Sequence, residues 1–327
     1  MLQYISFSKG IFYAFFTHFK HGPRRAGKRG SGVMKKLLFI VNPRAGKNKS
    51  HAPLFDAMSV FSDAEYLIRV RCTAGRGDAT TFAAEEAGEY DAVVCSGGDG
   101  TLNETLTGLM ALEERPPVGY LPAGSTNDFA ASLKIPSSPV LAARQIVASQ
   151  GRDLDIGRFQ DRYFVYVASF GAFTRSSYAA PQNVKNALGH FAYILEGMKD
   201  LDTLRPYKVK VTADGEVFDG SFLFGAICNS TSIGGLMKLS PEHVILDDGK
   251  FELLLVPSPK TPMDLQNLIM AFLSQQYDQG GLIFRHVSQV RVEAEDEELS
   301  WSLDGEYDPG APVVEIQNLQ KALKLLL

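Results

Sequence analysis

Five short polar segments of this 327-residue chain carry side chains that can do chemistry. The first is Ser96-Gly97-Gly98-Asp99-Gly100-Thr101-Leu102-Asn103-Glu104. Its glycines let the backbone turn sharply and approach a phosphate closely. The amides that open a helix favour anions. Asp99 can hold a metal ion or a substrate hydroxyl. Gly-Asp-Gly is also common in ordinary strand-to-helix turns, but four polar groups (Asp99, Thr101, Asn103 and Glu104) accompany the glycines here. The segment has no Gly-Lys-Ser/Thr ending and no dinucleotide-type glycine spacing. The second segment, Asn42-Pro43-Arg44-Ala45-Gly46-Lys47, offers an amide that can tie loops together, a glycine and a cation for phosphate. Alone it reads as a helix-entry turn with a solvated lysine. The third, from Pro122 through Gly124, Ser125, Thr126, Asn127 and Asp128 to Ala130, offers hydroxyls for a phosphate or ribose. Alone, Asn127 or Asp128 reads as a helix N-cap. The fourth, Leu303-Asp304-Gly305-Glu306, sets two carboxylates about a glycine. One can deprotonate an attacking hydroxyl and the other hold Mg²⁺ or water, although Asp-Gly is also a hairpin turn. In the fifth, Ile245-Leu246-Asp247-Asp248-Gly249-Lys250, adjacent acids before a glycine suit either a hard cation or a solvated turn. The six histidines show no ligand spacing, and no Ser/His/Asp arrangement is readable, so hydrolase chemistry is unsupported.

The elements that must position these segments alternate along the first half of the chain. Leu37 to Val41 is an apolar run of strand length, stopped at Asn42-Pro43. Leu54, Phe55, Met58 and Phe61 then mark a helix, residues 66–72 a strand, residues 79–87 a helix and residues 92–95 a buried strand. Leu102, Leu106, Leu109 and Met110 mark the next helix face. Residues 118–121 predict a fourth strand and residues 140–148 a closing helix. Apolar strands alternating with helices predict a parallel sheet covered on both faces, with ligands bound at the carboxyl ends of the strands. The first three polar segments all lie at that edge, and one shared site is a better account than three coincident turns. After residue 152 strand-like runs dominate, at 163–170, 207–212, 221–229, 250–256, 287–293 and 299–303. A hairpin is expected at Asp214-Gly215, with helices at 187–201 and 262–276 and short apolar strands at 313–327. These predict a mostly antiparallel β domain.

The balance of 45% hydrophobic and 21% charged residues is that of a folded globular protein with room for two domains. Net charge is −4, which indicates no nucleic-acid-binding surface. Residues 1–33 differ in kind: they hold six Lys/Arg and no acid, so −10 remains for residues 34–327. Five of these six basic residues follow the aromatic stretch at 11–16, the wrong order for a signal peptide. Two readings remain open, an interfacial membrane anchor and sequence upstream of a true start at Met34. No segment reaches the ~20 apolar residues of a transmembrane helix. Cys72, Cys95 and Cys228 each sit in a strand-like apolar run and are expected to be buried, reduced thiols, which suits a cytoplasmic setting.

Taken in order, Asn42-Pro43…Gly46-Lys47, Gly97 to Glu104 and Gly124 to Ala130 resemble the diacylglycerol kinase catalytic family, in its bacterial soluble lipid kinase branch. Asp247-Asp248-Gly249 and Asp304-Gly305-Glu306 fit the same pattern, from about Lys35 to the end of the chain, which favours a start at Met34. The Gly-Gly-Asp-Gly-Thr element is shared with NAD kinases and phosphofructokinase-like enzymes; the leading Asn-Pro and the late Asp-Gly-Glu separate the lipid kinases. The resemblance implies an α/β fold of two domains: an N-terminal parallel-sheet nucleotide domain of NAD kinase/phosphofructokinase type over residues 34–152, and a C-terminal mostly antiparallel β-sandwich domain over 153–312. Residues 313–327 are expected to pack back on the first domain, and the active site to lie in the cleft between domains. It implies ATP bound by Asn42, Pro43, Arg44, Ala45, Gly46, Lys47, Thr73, Gly97, Gly98, Asp99, Gly100, Thr101, Leu102, Asn103, Glu104 and Ser125, the last standing where threonine is more usual. It implies Glu306 as general base, Asp304 and Asp99 as organisers of Mg²⁺ and water, and a second Mg²⁺ held by Asp248 with the carbonyls of Ile245 and Lys250. The implied reaction moves the γ-phosphate of ATP to the hydroxyl of a membrane lipid, with diacylglycerol the leading acceptor, by an enzyme that meets the inner membrane surface transiently. A homodimer is left open. NAD kinase and a non-catalytic nucleotide- or lipid-binding regulator are the alternatives. Phe170, Phe173, Ile233, Leu236 and Met237 are candidates for a lipid path, with core packing the commoner role for such residues.

Overall fold

A computed structural model of the chain describes residues 34–46, 52–125, 127–171, 206–230, 232–233, 237–238, 244–274, 276–277, 279–295 and 299–327. The expectations for residues 1–33, Lys47, Thr126, Phe173, Leu236 and the helix at 187–201 lie outside them. The fold is α/β, with a parallel-sheet region followed by an antiparallel β-sandwich region. Contacts divide the chain into two compact units.

The first unit runs to Ala130 and adds Lys134–Arg152 and Lys324–Leu327. Its strands are β1 (Lys35–Val41), β2 (Tyr66–Cys72), β3 (Ala92–Gly97) and β4 (Val118–Pro122). All pair in parallel in the order β4-β3-β1-β2. The helices are α1 (Ala52–Asp63), α2 (Asp78–Glu86), α3 (Asp99–Leu109), the short α4 (Asp128–Ser132) and α5 (Pro139–Ala148). Strand side chains alternate between faces, and both faces are used. Leu37, Phe39 and Val41 of β1 join Ala92, Val94 and Leu121 in a cluster with Ala57 and Phe61 of α1 and Ala142, Ala143 and Ile146 of α5. Leu38, Ile40, Val93 and Cys95 alternate with them and are equally buried. That double burial is why these strands read as unbroken apolar runs.

The second unit comprises Ala131–Leu133 and Asp153–Leu323. It contains β5 (Arg152–Phe159), β6 (Arg162–Phe164), β7 (Val167–Gly171), β8 (Tyr207–Ala213), β9 (Glu216–Cys228), the two-residue β10 (Ser232–Ile233) and β11 (Met237–Lys238), and β12 (Phe251–Pro257). After α6 (Pro262–Ser274) come β13 (Ile283–Val287), β14 (Gln289–Ala294), β15 (Trp301–Leu303), β16 (Glu306–Asp308) and β17 (Val313–Leu326). The strand order β16-β15-β7-β9-β8-β14-β17 is antiparallel, and β12 joins β9 to β13. One core holds it together: Trp301 stacks edge-on against Phe159 and Phe170, each with ring centroids 5.0 Å away, and Phe164 meets Phe251 at 5.5 Å. Phe170 is thus a core residue.

Four expectations are corrected. The run at 163–170 is not one strand but β6 and β7, because Val165, Tyr166 and Val167 give their amides to the Asp304 carboxylate. The run at 287–293 breaks at Ser288, whose amide is taken by the side chain of Asp214. Residues 313–327 form one long strand rather than several: Val313–Gln317 pair antiparallel with β14, and Leu325 and Leu326 pair parallel with Val118 and Gly119. Cys72 is exposed, because it ends the edge strand β2, whereas Cys95 and Cys228 are buried as expected. On α1, found where its apolar spacing predicts a helix, Phe55 is 58% exposed and Ala57 and Phe61 take the inward positions.

Helices α2 and α3 pack at Gly108, where an added Cβ would lie 2.3 Å from the carbonyl oxygen of Thr80 and 2.7 Å from Cβ of Ala83. Backbone cannot yield there as a flexible side chain would. Gly108→Ala is expected to destabilise the protein by about 2 kcal/mol, read as a lower urea midpoint at unchanged slope. An unchanged midpoint would show that the helices do not pack this closely.

Candidate active site

The loops after β1, β3 and β4 meet at the carboxyl edge of the first unit's sheet. Asn42 is their hub. Its amide donates to the carbonyl of Ser96 at 2.8 Å, its side-chain Nδ2 donates to Thr101 Oγ1 at 3.0 Å, and its Oδ1 accepts from the Arg44 amide at 2.9 Å. The loop after β1 is thereby fastened to the start of α3. Gly46, with φ +79°, presses on the third loop so closely that a Cβ would sit 2.6 Å from the Ala123 carbonyl oxygen. The second and third loops touch backbone to backbone: a Cβ on Gly124 would lie 2.6 Å from Cα of Gly98. Asn127, at φ +54°, closes the third loop by accepting from the Gly124 amide and donating to its carbonyl, both at 2.9 Å. The Tyr120 hydroxyl lies 3.1 Å from the Gly97 carbonyl and 3.2 Å from Asn127 Oδ1.

Asp99 opens α3 and accepts the Asp128 amide at 2.9 Å, so it also holds the third loop. Burial is the main reason its carboxyl is raised above the ordinary range. Asp128 is raised as well, by burial and then by the charge of Asp99. The second oxygen of Asp99 is buried without a hydrogen-bond partner, an opening suited to water or a hard cation. On the α2 side, Glu104 accepts the Gly77 amide at 2.9 Å and Thr73 donates its amide to the Val41 carbonyl at 2.9 Å. Asn42, Thr73, Gly98, Asp99, Thr101 and Glu104 are therefore linked through one set of strand ends. Ser125 is exposed on the third loop, and Lys47 lies outside the described residues. On the α1/α5 side of the first loop a cavity of about 590 Å³ is lined by residues 42–46, Ser96, Ala123, Leu54 and Pro139 among others.

In the second unit, Asp304 and Gly305 have φ of +48° and +84°, so they form the tight turn that joins β15 to β16. The buried Asp304 carboxylate accepts three amides, from Val165 at 2.7 Å, Tyr166 at 2.9 Å and Val167 at 3.0 Å. It anchors the hairpin, and Glu306 emerges from it with its side chain 36% exposed. Arg162 lies 3.8 Å from the Glu306 carboxylate and 2.5 Å from that of Asp308.

The turn Ile245–Lys250 is clamped from several sides. Asp155, fully buried, donates its amide to the Leu246 carbonyl at 2.8 Å and accepts the amides of Gly249 at 2.6 Å and Lys321 at 2.7 Å. Ser288 Oγ donates to the Gly249 carbonyl at 3.0 Å, and Asp248 accepts the Lys250 amide at 2.9 Å. No group of three or more His, Cys, Asp or Glu side chains is arranged to hold a metal ion among the described residues. A cation at this turn would rest on carbonyl oxygens with one carboxylate. Two buried oxygens of this unit have no hydrogen-bond partner, Asn229 Oδ1 and Glu252 Oε2: Asn229 donates to the Asp155 carbonyl at 2.8 Å, and burial pushes the Glu252 carboxyl up to about 9, with the charge of Asp248 adding to the shift. The donor chemistry fits a hard divalent cation. Asp155 and Arg162 were missed by the sequence reading. Asp155 lies in β5, which was not read as a strand, and Arg162 gains meaning only when β6 approaches β16.

Two family models match the chain: the diacylglycerol kinase catalytic domain matches residues 36–159, and the YegS C-terminal NAD kinase beta sandwich-like domain matches residues 167–327. The chain belongs to the diacylglycerol kinase family. It is 34% identical to the diacylglycerol kinase of Bacillus subtilis (strain 168) over 90% of this chain and 97% of that one. It is 31% identical to a diacylglycerol kinase of Staphylococcus aureus over 86% of this chain and 89% of that one. A crystal structure of a diacylglycerol kinase from Bacillus anthracis str. Sterne is similar at a TM-score of 0.72 and 25% identity, covering 89% of this chain and 96% of that one. No helix among the described residues is long and apolar enough to cross a membrane.

Replacing Asp304 by Asn would turn an N–H donor toward amides that themselves donate. Asp304→Asn is expected to cost about 2 kcal/mol of stability, measured by urea denaturation. A variant as stable as the parent would show that this anchor is dispensable.

Proposed function

We propose that the protein transfers the γ-phosphate of ATP to the hydroxyl of a membrane lipid, with diacylglycerol as the acceptor and phosphatidic acid as the product. The observation that carries this reading is the fastening of three glycine-bearing loops to one another at one sheet edge, through Asn42, Gly46–Ala123 and Gly98–Gly124. Close-packed glycine backbone at the start of α3 suits a polyphosphate. The names of the relatives support the choice of acceptor.

In this reading the amides of Gly98 to Thr101 and the loop Asn42 to Gly46 hold the phosphates, with Lys47 adding charge. Thr73, Glu104 and Ser125 bound the nucleoside. Glu306 accepts the proton of the lipid hydroxyl as the oxygen attacks the γ-phosphorus, and the bond to the ADP oxygen breaks in line. Asp304 serves by fixing the hairpin that presents Glu306, and Arg162 steadies the carboxylates beside it. Asp99 faces its unpartnered oxygen toward water or Mg²⁺ at the phosphates. Mg²⁺, when bound there, neutralises charge on the phosphate oxygens. The turn at Ile245, Asp248 and Lys250 holds a second Mg²⁺ with a structural role. The enzyme works at the cytoplasmic membrane surface, where its lipid resides.

NAD kinase is the second reading, because the C-terminal family model is described by likeness to that enzyme's sandwich. ATP consumption that requires NAD and no lipid would favour it.

Glu306→Gln is expected to leave ATP affinity within about twofold and to lower lipid phosphorylation by roughly 10²–10⁴-fold. Turnover retained in that variant would remove Glu306 from the role of base.

A further inference from the structure

Arg162 stands between the two carboxylates of β16. It lies in β6, opposite Phe159 of β5, and its guanidinium is 2.5 Å from Asp308 and 3.8 Å from Glu306. Asp308 is 8% exposed, and its other oxygen accepts the Gly310 amide at 2.7 Å. Gly310 is itself pressed against Leu299, whose carbonyl oxygen would lie 2.4 Å from an added Cβ. Asp308 is therefore fixed through both oxygens, and it fixes the guanidinium in turn. Across the β15–β16 pair Asp308 stands opposite the buried Trp301, and Glu306 opposite the buried Leu303. The three charged groups thus sit at the margin of the second unit's core, where charges are screened less than in open water.

Among the described residues the guanidinium makes its side-chain hydrogen bond to Asp308, and at 3.8 Å it stops short of one to Glu306. A guanidinium has five N–H donors in a fixed plane, and 36% of this side chain is exposed. Donors therefore remain directly beside the carboxylate assigned as base. The charge of the group decides what they suit. Arg162, Asp308 and Glu306 together carry one net negative charge, so a further anion gains little there. A neutral oxygen gains a charge-assisted hydrogen bond. In a 1,2-diacylglycerol the carbon next to the one bearing the hydroxyl carries an ester, whose carbonyl is such an oxygen and lies close to the reacting one. We infer that Arg162 is a specificity-determining residue for the acceptor. While Glu306 takes the proton of the hydroxyl, Arg162 donates to the neighbouring ester carbonyl, and Asp308 holds it in place to do so. The inference rests on the reading of Glu306 as base and of diacylglycerol as acceptor. It separates diacylglycerol from lipid alcohols with no carbonyl beside the hydroxyl, such as a polyprenol or a dialkylglycerol.

The test compares two acceptors, dioctanoylglycerol and its ether analogue dioctylglycerol, which keeps the hydroxyl and the chains but lacks both carbonyls. Each is presented in the same detergent micelles with ATP and Mg²⁺, and kcat/KM is measured for the full chain and for Arg162→Met. Because that change leaves Asp308 without its cation, the double variant Arg162→Met with Asp308→Asn is measured beside it; the amide oxygen can still accept from Gly310. The parent is expected to prefer the ester by roughly 10–100-fold, the range for a hydrogen bond from a charged group. Both variants are expected to bring that ratio close to one. A loss common to both lipids reflects folding or the base and cancels in the ratio. A parent ratio kept in the variants overturns the role of Arg162, whatever their overall activity. So does a parent that uses the two lipids equally, although lipid phosphorylation then stands as the function. A parent that phosphorylates neither lipid removes the acceptor reading and this inference with it.

Discussion

The candidate site depends on backbone approaching backbone more closely than any side chain permits. Gly46 lies against the Ala123 carbonyl and Gly124 against Cα of Gly98. A Cβ at either glycine would push one strand end away from its neighbour and open the gap that a polyphosphate is proposed to fill. Asn42 then locks the arrangement with bonds to Ser96, Thr101 and Arg44. The parallel sheet supplies the platform, since only parallel strands bring three successive carboxyl ends to one edge. The double burial of β1, β3 and β4 keeps those ends from shifting.

Carboxylates take a comparable part in the second unit. Asp304 and Asp155 each replace ordinary sheet pairing or turn geometry with side-chain bonds to two or three backbone amides. One fixes the hairpin that carries Glu306, and the other fixes the turn at Asp248. Both are buried, so loss of either acceptor removes the bonds that hold its backbone amides in place. In both places acids with structural duties support acids to which chemistry is assigned.

Much of this was legible in the sequence. The parallel strands were visible because burial on both faces makes them continuous apolar runs. The glycine loops were visible because close approach leaves glycine as the only residue that fits. Asp304-Gly305 was visible because a tight hairpin needs positive φ at both positions. What stayed hidden involved partners far apart along the chain. The break between β6 and β7 comes from Asp304, 137 residues or more away. The exposure of Cys72 follows from β2 lying at the sheet's edge, and edge position is a matter of strand order rather than composition. Glu252 looks like any polar residue in a strand until both of its faces are seen to be covered.

The central claim is that the tied loops of the first unit serve phosphoryl transfer to a lipid alcohol. The most direct measurement incubates the protein with γ-labelled ATP, Mg²⁺ and a total membrane lipid extract, and identifies the labelled product by mass. The account predicts label in phosphatidic acid, dependent on added lipid. Label in a nucleotide product with no lipid requirement, or bound ATP with no transfer to any lipid in the extract, would contradict it.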